Sequence, residues 1–355
     1  MFQFTIKFVL VWSLLLLSQF LFGQFVKYSN DFLSIGTGAR EMALGKAAVS
    51  VTSDASAVYW CPAQMSGFNS EFTASATHIK YFGGAAVYDY VGFVNVKPDS
   101  SAFAAGIVRL GTDNIPNTLQ LFDSAGNISD NINYFSVADY ALFLSFSKKM
   151  TNLPLVYGAS LKLIYRKTGP FANAYGFGTD FSLSYNKNKF SSAIIIRDAF
   201  TTFNAWFINK NLFDSTFLAT GNTAPENSIE LTAPSIQVGL NYSFAVSSKI
   251  SINPVLGFFV FTDGKRNALL SGKYGTFDPV FGMETSYLNI VYVRFGLSDF
   301  FRYNSIFSSE IDFVPSLGIG IKYFNINFDY TYTNAGKTTL QKPSNIFSVS
   351  WKFKK

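Results

Sequence analysis

The sequence is poor in the residues on which most catalytic and metal sites are built. It contains a single histidine, His78, and a single cysteine, Cys61, in 355 residues. One cysteine cannot form a disulfide framework within the chain, and no Cys/His cluster is available to bind zinc. A Ser-His catalytic pair could use only His78, which has no carboxylate or serine beside it in the sequence. We therefore predict a protein that is not an enzyme and holds no cofactor or metal.

Charged residues are also scarce, at 14% compared with about 25% in ordinary soluble proteins. The formal net charge is +6, but the Lys and Arg residues are scattered and form no basic stripe, which excludes nucleic acid as a partner. Aromatic residues are abundant, with 40 Phe and 19 Tyr. Beyond the first residues there is no apolar run long enough for a membrane-spanning helix. Apolar residues interleaved with polar ones are typical of a transmembrane β-barrel.

The one long apolar run lies at the amino terminus. Lys7 precedes an apolar stretch from Phe8 to Leu17, and the small residue Gly23 stands before Gln24. This order of charge, apolar run and small residue predicts a secretory signal peptide over residues 1–23. A membrane anchor is the alternative interpretation.

Strict alternation is visible along the remaining chain. In "GFGTDFSLSY" (176–185), Phe177 and Phe181 share one face, and Asp180 and Ser182 share the other. In "FNINFDYTYT" (324–333) apolar and polar residues alternate in the same way. Such a repeat of two predicts β-strands with one apolar and one polar face. The polar faces are rich in Gly, Ser and Asn, which favours a hydrated barrel lumen over the Lys/Glu-rich surface of a soluble sandwich.

Fourteen strands are predicted, at 71–80, 86–97, 101–110, 136–148, 154–167, 176–187, 190–198, 234–245, 250–262, 279–287, 289–298, 315–323, 324–333 and 345–353. Tight links follow the even-numbered strands, and longer links follow most odd-numbered ones, the longest being 199–233. An even strand number with short periplasmic turns and long outer loops is typical of bacterial outer-membrane barrels. We predict an all-β, antiparallel barrel over residues 71–355 in the lipid bilayer of the outer membrane.

Residues 24–70 precede the first strand and lack alternation, so we interpret them as a hatch, meaning a segment folded inside the barrel. A barrel of about fourteen strands has a lumen too wide for its own side chains to fill. The hatch sequence is rich in Gly and Ala, which permits close backbone packing. Within "SDASAVYWCPAQMSG" (53–67), Ser53 or Asp54 is predicted to cap a short helix that ends at Pro62.

The chain also resembles a known family. The amino-terminal run with "GTGAR", Gly45, "DASAVYW" and "PA" is similar to the signature of the PorV/PorQ family, and later segments such as "GFGTDFSLSY" and "METSYLNIVYVRFGL" follow in the family's order. The chain departs from the family at Cys61, where an Asn is usual, and at Lys46, where a Gly is usual. The resemblance implies a FadL-like outer-membrane barrel from the Bacteroidota that serves the type IX secretion system.

Two sets of residues are expected inside the barrel. The hatch is expected to pack through one set: Arg40, Asp54, Tyr59, Trp60 and Pro62. By strand parity, Lys162, Arg166 and Asp180 face the lumen, where an ion-pair network that holds the hatch is favoured over transport chemistry.

The predicted outer loop 199–233 carries an unusual density of aromatic residues. Exposed apolar clusters of this kind mark partner sites, or else fold over the rim of the barrel. The candidate partner-binding residues are Phe203, Trp206, Phe207 and Phe213.

Two functions remain open from the sequence. The first, implied by the family resemblance, is a barrel that binds cargo proteins or the translocon in type IX secretion. The alternative is a FadL-like channel that admits hydrophobic small molecules. The inward faces of the quoted strands are Gly, Ser, Asn, Asp and Lys, and this favours the protein-binding hypothesis over an apolar conduit.

Overall fold

The computed structural model describes residues 25–118, 132–212, 225–304, 309–334 and 343–353. The predicted signal peptide lies outside these residues. The strands form a single closed sheet, because each strand presents an apolar face outward and a face that packs on the hatch or lines the lumen inward.

The described residues contain eighteen strands: β1 (Phe72–Tyr81), β2 (Ala86–Val96), β3 (Ser101–Pro116), β4 (Tyr134–Lys149), β5 (Leu155–Thr168), β6 (Ala172–Lys187), β7 (Phe190–Arg197), β8 (Thr202–Ile208), β9 (Ser228–Thr232), β10 (Ser235–Tyr242), β11 (Phe244–Ala245), β12 (Ile250–Phe261), β13 (Leu270–Gly272), β14 (Gly275–Tyr287), β15 (Val291–Asn304), β16 (Ser309–Tyr323), β17 (Ile326–Thr333) and β18 (Ser344–Phe353).

These strands fill fourteen positions around the barrel. β7 and β8 share one position and β9 to β11 share another, while β13 pairs only with β14 and lies beyond the wall. Every pairing between neighbouring strands is antiparallel, and β18 pairs with β1 from Phe72↔Phe353 to Lys80↔Asn345, which closes the ring. Closure leaves no free sheet edge along the wall. The predicted closed antiparallel barrel of fourteen strands is confirmed.

All fourteen predicted strands occur at their predicted places, but several extend further at the end that carries the long loops. β3 continues to Pro116, and β16 begins at Ser309. The pairing register shifts within these extensions, between Thr112 and Ile115 on β3 and between Ser298 and Phe301 on β15. A shift of this kind breaks the alternation of faces, so the sequence pattern ended before the strand did.

The predicted loop 199–233 is wrong in part, because β8 and β9 lie within it. Residues 198–201 separate β7 from β8, and Asp198 and Thr201 adopt positive φ angles there. β6 pairs with both strands: Phe181 lies opposite Ile196 on β7, and Phe177 lies opposite Phe203 on β8. Because residues 198–201 interrupt the alternation, the sequence pattern did not predict that the barrel wall continues as β8.

The assignment of faces from the sequence is confirmed. Phe181 and Phe328 point outward and are 41% and 54% exposed, whereas Ser182 is buried on the inner side. The inner face is less polar than expected, however. Apolar side chains from β1, β2 and β3 are buried against the hatch: Ile79, Tyr81, Tyr88, Tyr90, Val94 and Val108. β1 to β3 therefore face the packed hatch and not water. The strands quoted in the sequence analysis, 176–185 and 324–333, have polar inner faces and gave no sign of this apolar region.

Short helices occur mainly in the hatch. α1 spans Ala39–Ala43 and α2 spans Ala57–Trp60, and 3-10 helices span Asp31–Leu33 and Pro62–Gly67. Two further 3-10 helices, Phe82–Gly84 and Lys210–Leu212, lie between strands. Among the described residues, no helix has the length and apolar character needed to cross a membrane.

The outward face generates a test of the barrel. Phe181 lies in the middle of β6, so Phe181→Arg should cost about 2–4 kcal/mol and reduce the amount of assembled barrel. Phe181→Leu keeps the surface apolar and should assemble like the wild type. Heat-modifiable migration on gels measures the assembled fraction. Equal assembly of both variants would contradict the assignment of Phe181 to the lipid-facing side.

Candidate functional site

The hatch is held together by the aromatic pair in its centre. The Tyr59 hydroxyl donates to the carbonyl of Leu33 and accepts from the backbone N–H of Gly36 at 3.1 Å. Trp60 Nε1 donates to the carbonyl of Thr37 at 2.8 Å, and the two rings meet edge to face with centroids 5.1 Å apart. The pair therefore fastens the start of the hatch to α2.

One side of the hatch packs against β4 to β7. The 3-10 helix that begins at Pro62 places the N–H of Ala63 2.9 Å from Ser182 Oγ, which accepts it. Arg197 Nη2 donates to the carbonyl of Tyr59 at 2.9 Å, and its guanidinium lies 4.6 Å from the centre of the Tyr59 ring. The predicted packing residues Tyr59 and Pro62 thus meet the wall, whereas Trp60 packs within the hatch.

The opposite side is joined to the wall by a buried chain of charges. Arg40 Nε and Nη2 donate to the two carboxylate oxygens of Glu284 on β14, at 2.8 and 3.0 Å. Arg294 on β15 donates to the same carboxylate at 2.6 Å and to Asp329 on β17 at 2.6 Å. Arg40 Nη1 also donates to the carbonyl of Val51 at 2.6 Å. A bidentate contact of this kind fixes both the distance and the relative orientation of the guanidinium and the carboxylate. It therefore sets the position of the hatch relative to β14.

Near these charges the hatch backbone lies directly on the wall. Gly45 has φ +61°, and a Cβ there would stand 2.6 Å from the backbone N of Leu297. A Cβ on Gly296 would stand 2.0 Å from the N of Gly45. Lys46 adopts a left-handed backbone conformation, with φ 66°, although it is not a glycine. Its ammonium pairs with Asp299 at 3.0 Å. Only glycine fits at positions 45 and 296.

Two carboxyl groups are buried inside the hatch. The predicted cap at Ser53 or Asp54 is wrong, because α2 begins later than predicted and its N-cap is Ser56, with no side-chain capping bond. Asp54 Oδ1 instead accepts the N–H of Ser56 at 2.8 Å in the turn before the helix. Glu41 is 1% exposed, and Arg40 Nη1 lies 3.9 Å from its carboxylate. Burial, followed by the nearby Asp54 charge, raises the pKa of Glu41 to about 8.

The predicted lumen residues belong to two separate clusters. Lys162 pairs with Asp180 at 2.8 Å and with Asp198, and the backbone N–H of Asp198 also donates to Asp180. This cluster fixes the irregular segment between β7 and β8. Arg166 lies elsewhere, where it donates to Asp139 at 3.0 Å.

Arg166 also contacts the hatch and the neighbouring strands. Its guanidinium lies 5.8 Å from the ring of Phe32 and 5.0 Å from the ring of Trp206. Trp206 Nε1 in turn donates to Glu230 at 2.7 Å. Contact with Phe32 is consistent with a role in holding the hatch.

The predicted partner surface does not lie on a loop. Phe203, Trp206 and Phe207 are on β8, and Phe213 lies outside the described residues. Phe203 stacks on Phe177 and points outward, as does Phe207, which is 52% exposed. Trp206 points inward. The placement was wrong because the irregular segment at 198–201 separates β8 from the alternating part of β7.

The hatch leaves a cavity at the long-loop end of the barrel, which we call the outer cavity. Its volume is about 580 Å³. Its apolar lining consists of Tyr28, Ile35, Tyr81, Ala86, Leu110, Phe259, Phe261 and Ala268, and its charged lining consists of Asp31, Lys46, Arg266, Asp278 and Asp299. Arg266 is itself engaged by Asp263 at 2.7 Å and lies 3.9 Å from the Phe261 ring centre. The cavity offers an aromatic surface with fixed polar groups.

Two further cavities lie at the short-turn end, on the other side of the hatch. One measures about 430 Å³ and contains Arg40, Gln64 and Lys189. The other measures about 330 Å³ and lies between the hatch and the last three strands. Trp60, Met42 and Leu44 are buried in the hatch between the two ends, so a solute in the outer cavity meets a packed barrier.

His78 has a carboxylate neighbour that the sequence did not show. It lies on the outward face of β1, with Nδ1 2.7 Å from Asp89 Oδ1 on β2, and Arg109 lies 3.6 Å from the same carboxylate. No group of three or more His, Cys, Asp or Glu side chains that could hold a metal occurs in the part of the chain that the structure describes.

The sequence interpretation missed Glu284, Arg294, Asp329 and Asp198. Parity offered one signal, because Asp329 occupies the polar face of an alternating strand. Glu284 and Arg294 lie in the quoted "METSYLNIVYVRFGL" and face inward across from each other in register. An inward acid and base at paired positions could have been recognised once the β14–β15 turn was placed.

Comparison with solved structures supports the same architecture. The P. putida toluene transporter TodX is 13% identical, with a TM-score of 0.54 over 90% of this chain and 99% of that one. The Ralstonia pickettii toluene transporter TbuX is 14% identical, with a TM-score of 0.52 over 90% and 98%. The CymD monoaromatic hydrocarbon channel is 12% identical, with a TM-score of 0.52 over 90% of this chain and 98% of that one. At these identities the likeness concerns the fold alone, a transmembrane β-barrel. No family model matches the chain, and neither does any curated protein.

The charge chain generates a test of hatch anchoring. Glu284→Gln leaves Arg40 and Arg294 without their shared carboxylate, and breaking such a buried pair costs about 3–5 kcal/mol. Limited proteolysis should then cleave residues 25–70, while heat-modifiable migration shows an intact barrel. Glu226→Gln changes an exposed carboxyl and serves as the control. Equal protection of the hatch in Glu284→Gln and the control would contradict the anchoring role.

Glu41 generates a second test, based on pH. Because its pKa is raised from an ordinary 4.5 to about 8, Glu41 favours the docked hatch most below pH 4.5. That contribution is lost as the pH rises through about 8, since the carboxyl must then ionise in a buried site beside Asp54 and Asp329, which outweighs the attraction of Arg40. Proteolysis of the hatch should increase across this range in the wild type and Glu226→Gln. Glu41→Gln should remain flat, and the same rise in Glu41→Gln would contradict the assignment.

Proposed function

We propose that this chain is an outer-membrane channel that admits hydrophobic small molecules from outside the cell into the outer cavity and past the hatch. The observation that carries the proposal is the aromatic-lined outer cavity above a hatch anchored to the wall. Four aromatic side chains line this cavity among charged and polar groups, and its volume of about 580 Å³ lies within the usual range for small-ligand sites.

The orientation follows from the lengths of the connections. The short turns and both ends of the barrel lie at one end, which we assign to the periplasm, and the long connections lie at the other, which we assign to the exterior. The outer cavity then opens outward. The two cavities at the short-turn end face the periplasm.

Passage requires the hatch to shift, since it fills the lumen between the cavities. For the hatch to shift, some of its hydrogen bonds to the barrel wall must break while others remain. Arg40 is bound by charge-assisted hydrogen bonds to Glu284, and Tyr59 on the other side receives one from Arg197. The 3-10 helix Pro62–Gly67 is instead bound by neutral hydrogen bonds from its backbone to Ser182 and Ser147. Neutral hydrogen bonds are the weaker class, so we expect movement first at this 3-10 helix.

The structural neighbours are named as transporters and channels for toluene and monoaromatic hydrocarbons. A ligand of that class matches the aromatic lining provided by Tyr81, Phe259 and Phe261. The same names support a role in transport and not in catalysis.

The PorV/PorQ resemblance and its role in type IX secretion stay a prediction. That hypothesis came from the family resemblance, and it was favoured by polar inward faces and by an exposed aromatic loop as the candidate partner surface. Phe203 and Phe207 instead point outward from the wall, where lipid is expected, and Trp206 points into the lumen. We therefore rank binding of translocon or cargo proteins below small-molecule passage.

Uptake of radiolabelled toluene by intact bacterial cells tests the proposal. Cells that produce the protein should take up toluene faster than cells that lack it. Ala86→Trp fills the outer cavity and should lower the rate toward that of cells without the protein. Ala85→Trp, at the exposed neighbouring position that does not line the cavity, is the matched control.

Two results would contradict the proposal. One is uptake that does not depend on the protein. The other is equal uptake by Ala86→Trp and Ala85→Trp cells that carry equal amounts of assembled barrel. Recovery of a stoichiometric protein partner from native membranes, abolished by Phe203→Ser together with Phe207→Ser, would favour the secretion hypothesis.

A further inference from the structure

The smaller cavity at the short-turn end differs in charge from the rest of the lumen. We call it the lysine cavity, and it measures about 330 Å³. Its lining consists of Ser53, Gly67, Phe68, Asn69, Ser70, Lys322, Phe324, Asn325, Asn327 and Lys352. The lining contains two cations and no carboxylate.

Neither lysine has an acidic partner in the described part of the chain. Lys46 on the hatch and Lys162 on the wall, by contrast, are each paired with an aspartate at 3.0 Å or less. Lys322 and Lys352 form no ion pair with any described residue, and the nearest acidic groups, such as Asp54, do not line the cavity. Two lysines that line one cavity with no carboxylate in its lining create a positive potential that a mobile anion can neutralise.

The strand pairing directs both lysines toward one place. Lys322 on β16 lies opposite Asn327 on β17, and the backbone N–H of Lys352 on β18 donates to the carbonyl of Asn325 at 2.8 Å. The two lysines therefore flank the start of β17, on strands about 10 Å apart. Their flexible side chains can reach a common group between them, where the amides of Asn325 and Asn327 also lie.

We propose that the lysine cavity binds the phosphate group of a small, water-soluble phosphate monoester. A phosphate monoester carries about −1.5 to −2 charges at neutral pH, which matches two lysines, whereas a carboxylate supplies only one. Lysine is a common phosphate ligand because its ammonium is a compact charge with three donors.

The remainder of the ligand follows from the rest of the lining. The cavity is larger than a phosphate ion needs, and Phe68 and Phe324 provide apolar walls. A small aromatic or apolar group attached to the phosphate would contact them. Lys322 and Lys352 face the lumen and not the bilayer, so the ligand comes from the aqueous phase and not from a lipid headgroup. The site does not depend on whether the barrel transports hydrocarbons.

Equilibrium dialysis of radiolabelled phenyl phosphate against the purified barrel, in an uncharged detergent at low salt, tests this site. The wild type should show saturable binding that inorganic phosphate displaces. Lys322→Gln together with Lys352→Gln should weaken binding at least tenfold. Lys322→Arg together with Lys352→Arg retains the charge and should stay within a few-fold of the wild type.

Lys249→Gln removes an exposed lysine from the same end of the barrel, outside the cavity, and should bind like the wild type. The proposal is overturned if the wild type shows no saturable binding, if inorganic phosphate does not compete, or if Lys249→Gln weakens binding as much as the double Gln variant. It is also overturned if the double Gln variant, with normal heat-modifiable migration, binds like the wild type. Vesicles of phosphatidic acid that compete better than phenyl phosphate would overturn the assignment to a soluble ligand.

Discussion

The bidentate contact between Arg40 and Glu284 is the interaction on which the interior of this barrel depends. A ring of fourteen strands encloses more space than its inward side chains can fill, so its lumen is either open or filled by another segment, and here the hatch fills it. That segment brings buried backbone and charged groups, and each needs a partner. Arg40 satisfies this requirement by joining the hatch to Glu284, which Arg294 links to Asp329 across three further strands. Close to this contact, Gly45 and Gly296 let the hatch backbone lie directly on the wall, because neither residue carries a Cβ.

The alternation of apolar and polar residues allowed the strands of the barrel wall to be predicted. It gave no information on most contacts between the hatch and the wall. The faces of Phe181 and Phe328 follow from alternation with a repeat of two, which each strand carries within its own sequence. The contact between Arg40 and Glu284 joins residues 244 positions apart, and no spacing rule connects them. Parity places Lys162 and Asp180 on the lumen face but does not separate them from Arg166, which belongs to another cluster. Asp198 could not be placed by parity, because the irregular segment that presents it follows no period.

The same irregularity explains why the aromatic residues near β8 were assigned to a loop. A bulged segment adds residues on one strand without adding them on its neighbour, so the alternation resumes out of phase. Once β8 is recognised as wall, Phe203 and Phe207 become part of the outward apolar surface, and Trp206 joins Arg166 and Glu230 inside. Apolar residues from β1 to β3 likewise point inward, where most pack on the hatch and a few, such as Tyr81 and Leu110, line the outer cavity.

In the proposed channel the hatch occupies one position, set by Arg40 and Glu284, and shifts from it when a small apolar molecule enters the outer cavity. Spin labels at Ser53→Cys on the hatch and Lys249→Cys on the short-turn end allow this to be measured directly, since Cys61 is buried and should not react. Pulsed electron-spin resonance should give one narrow distance without ligand and a second distance when toluene is added. A broad distribution without ligand would contradict a fixed hatch, and an unchanged narrow distance with saturating toluene would contradict its movement during passage.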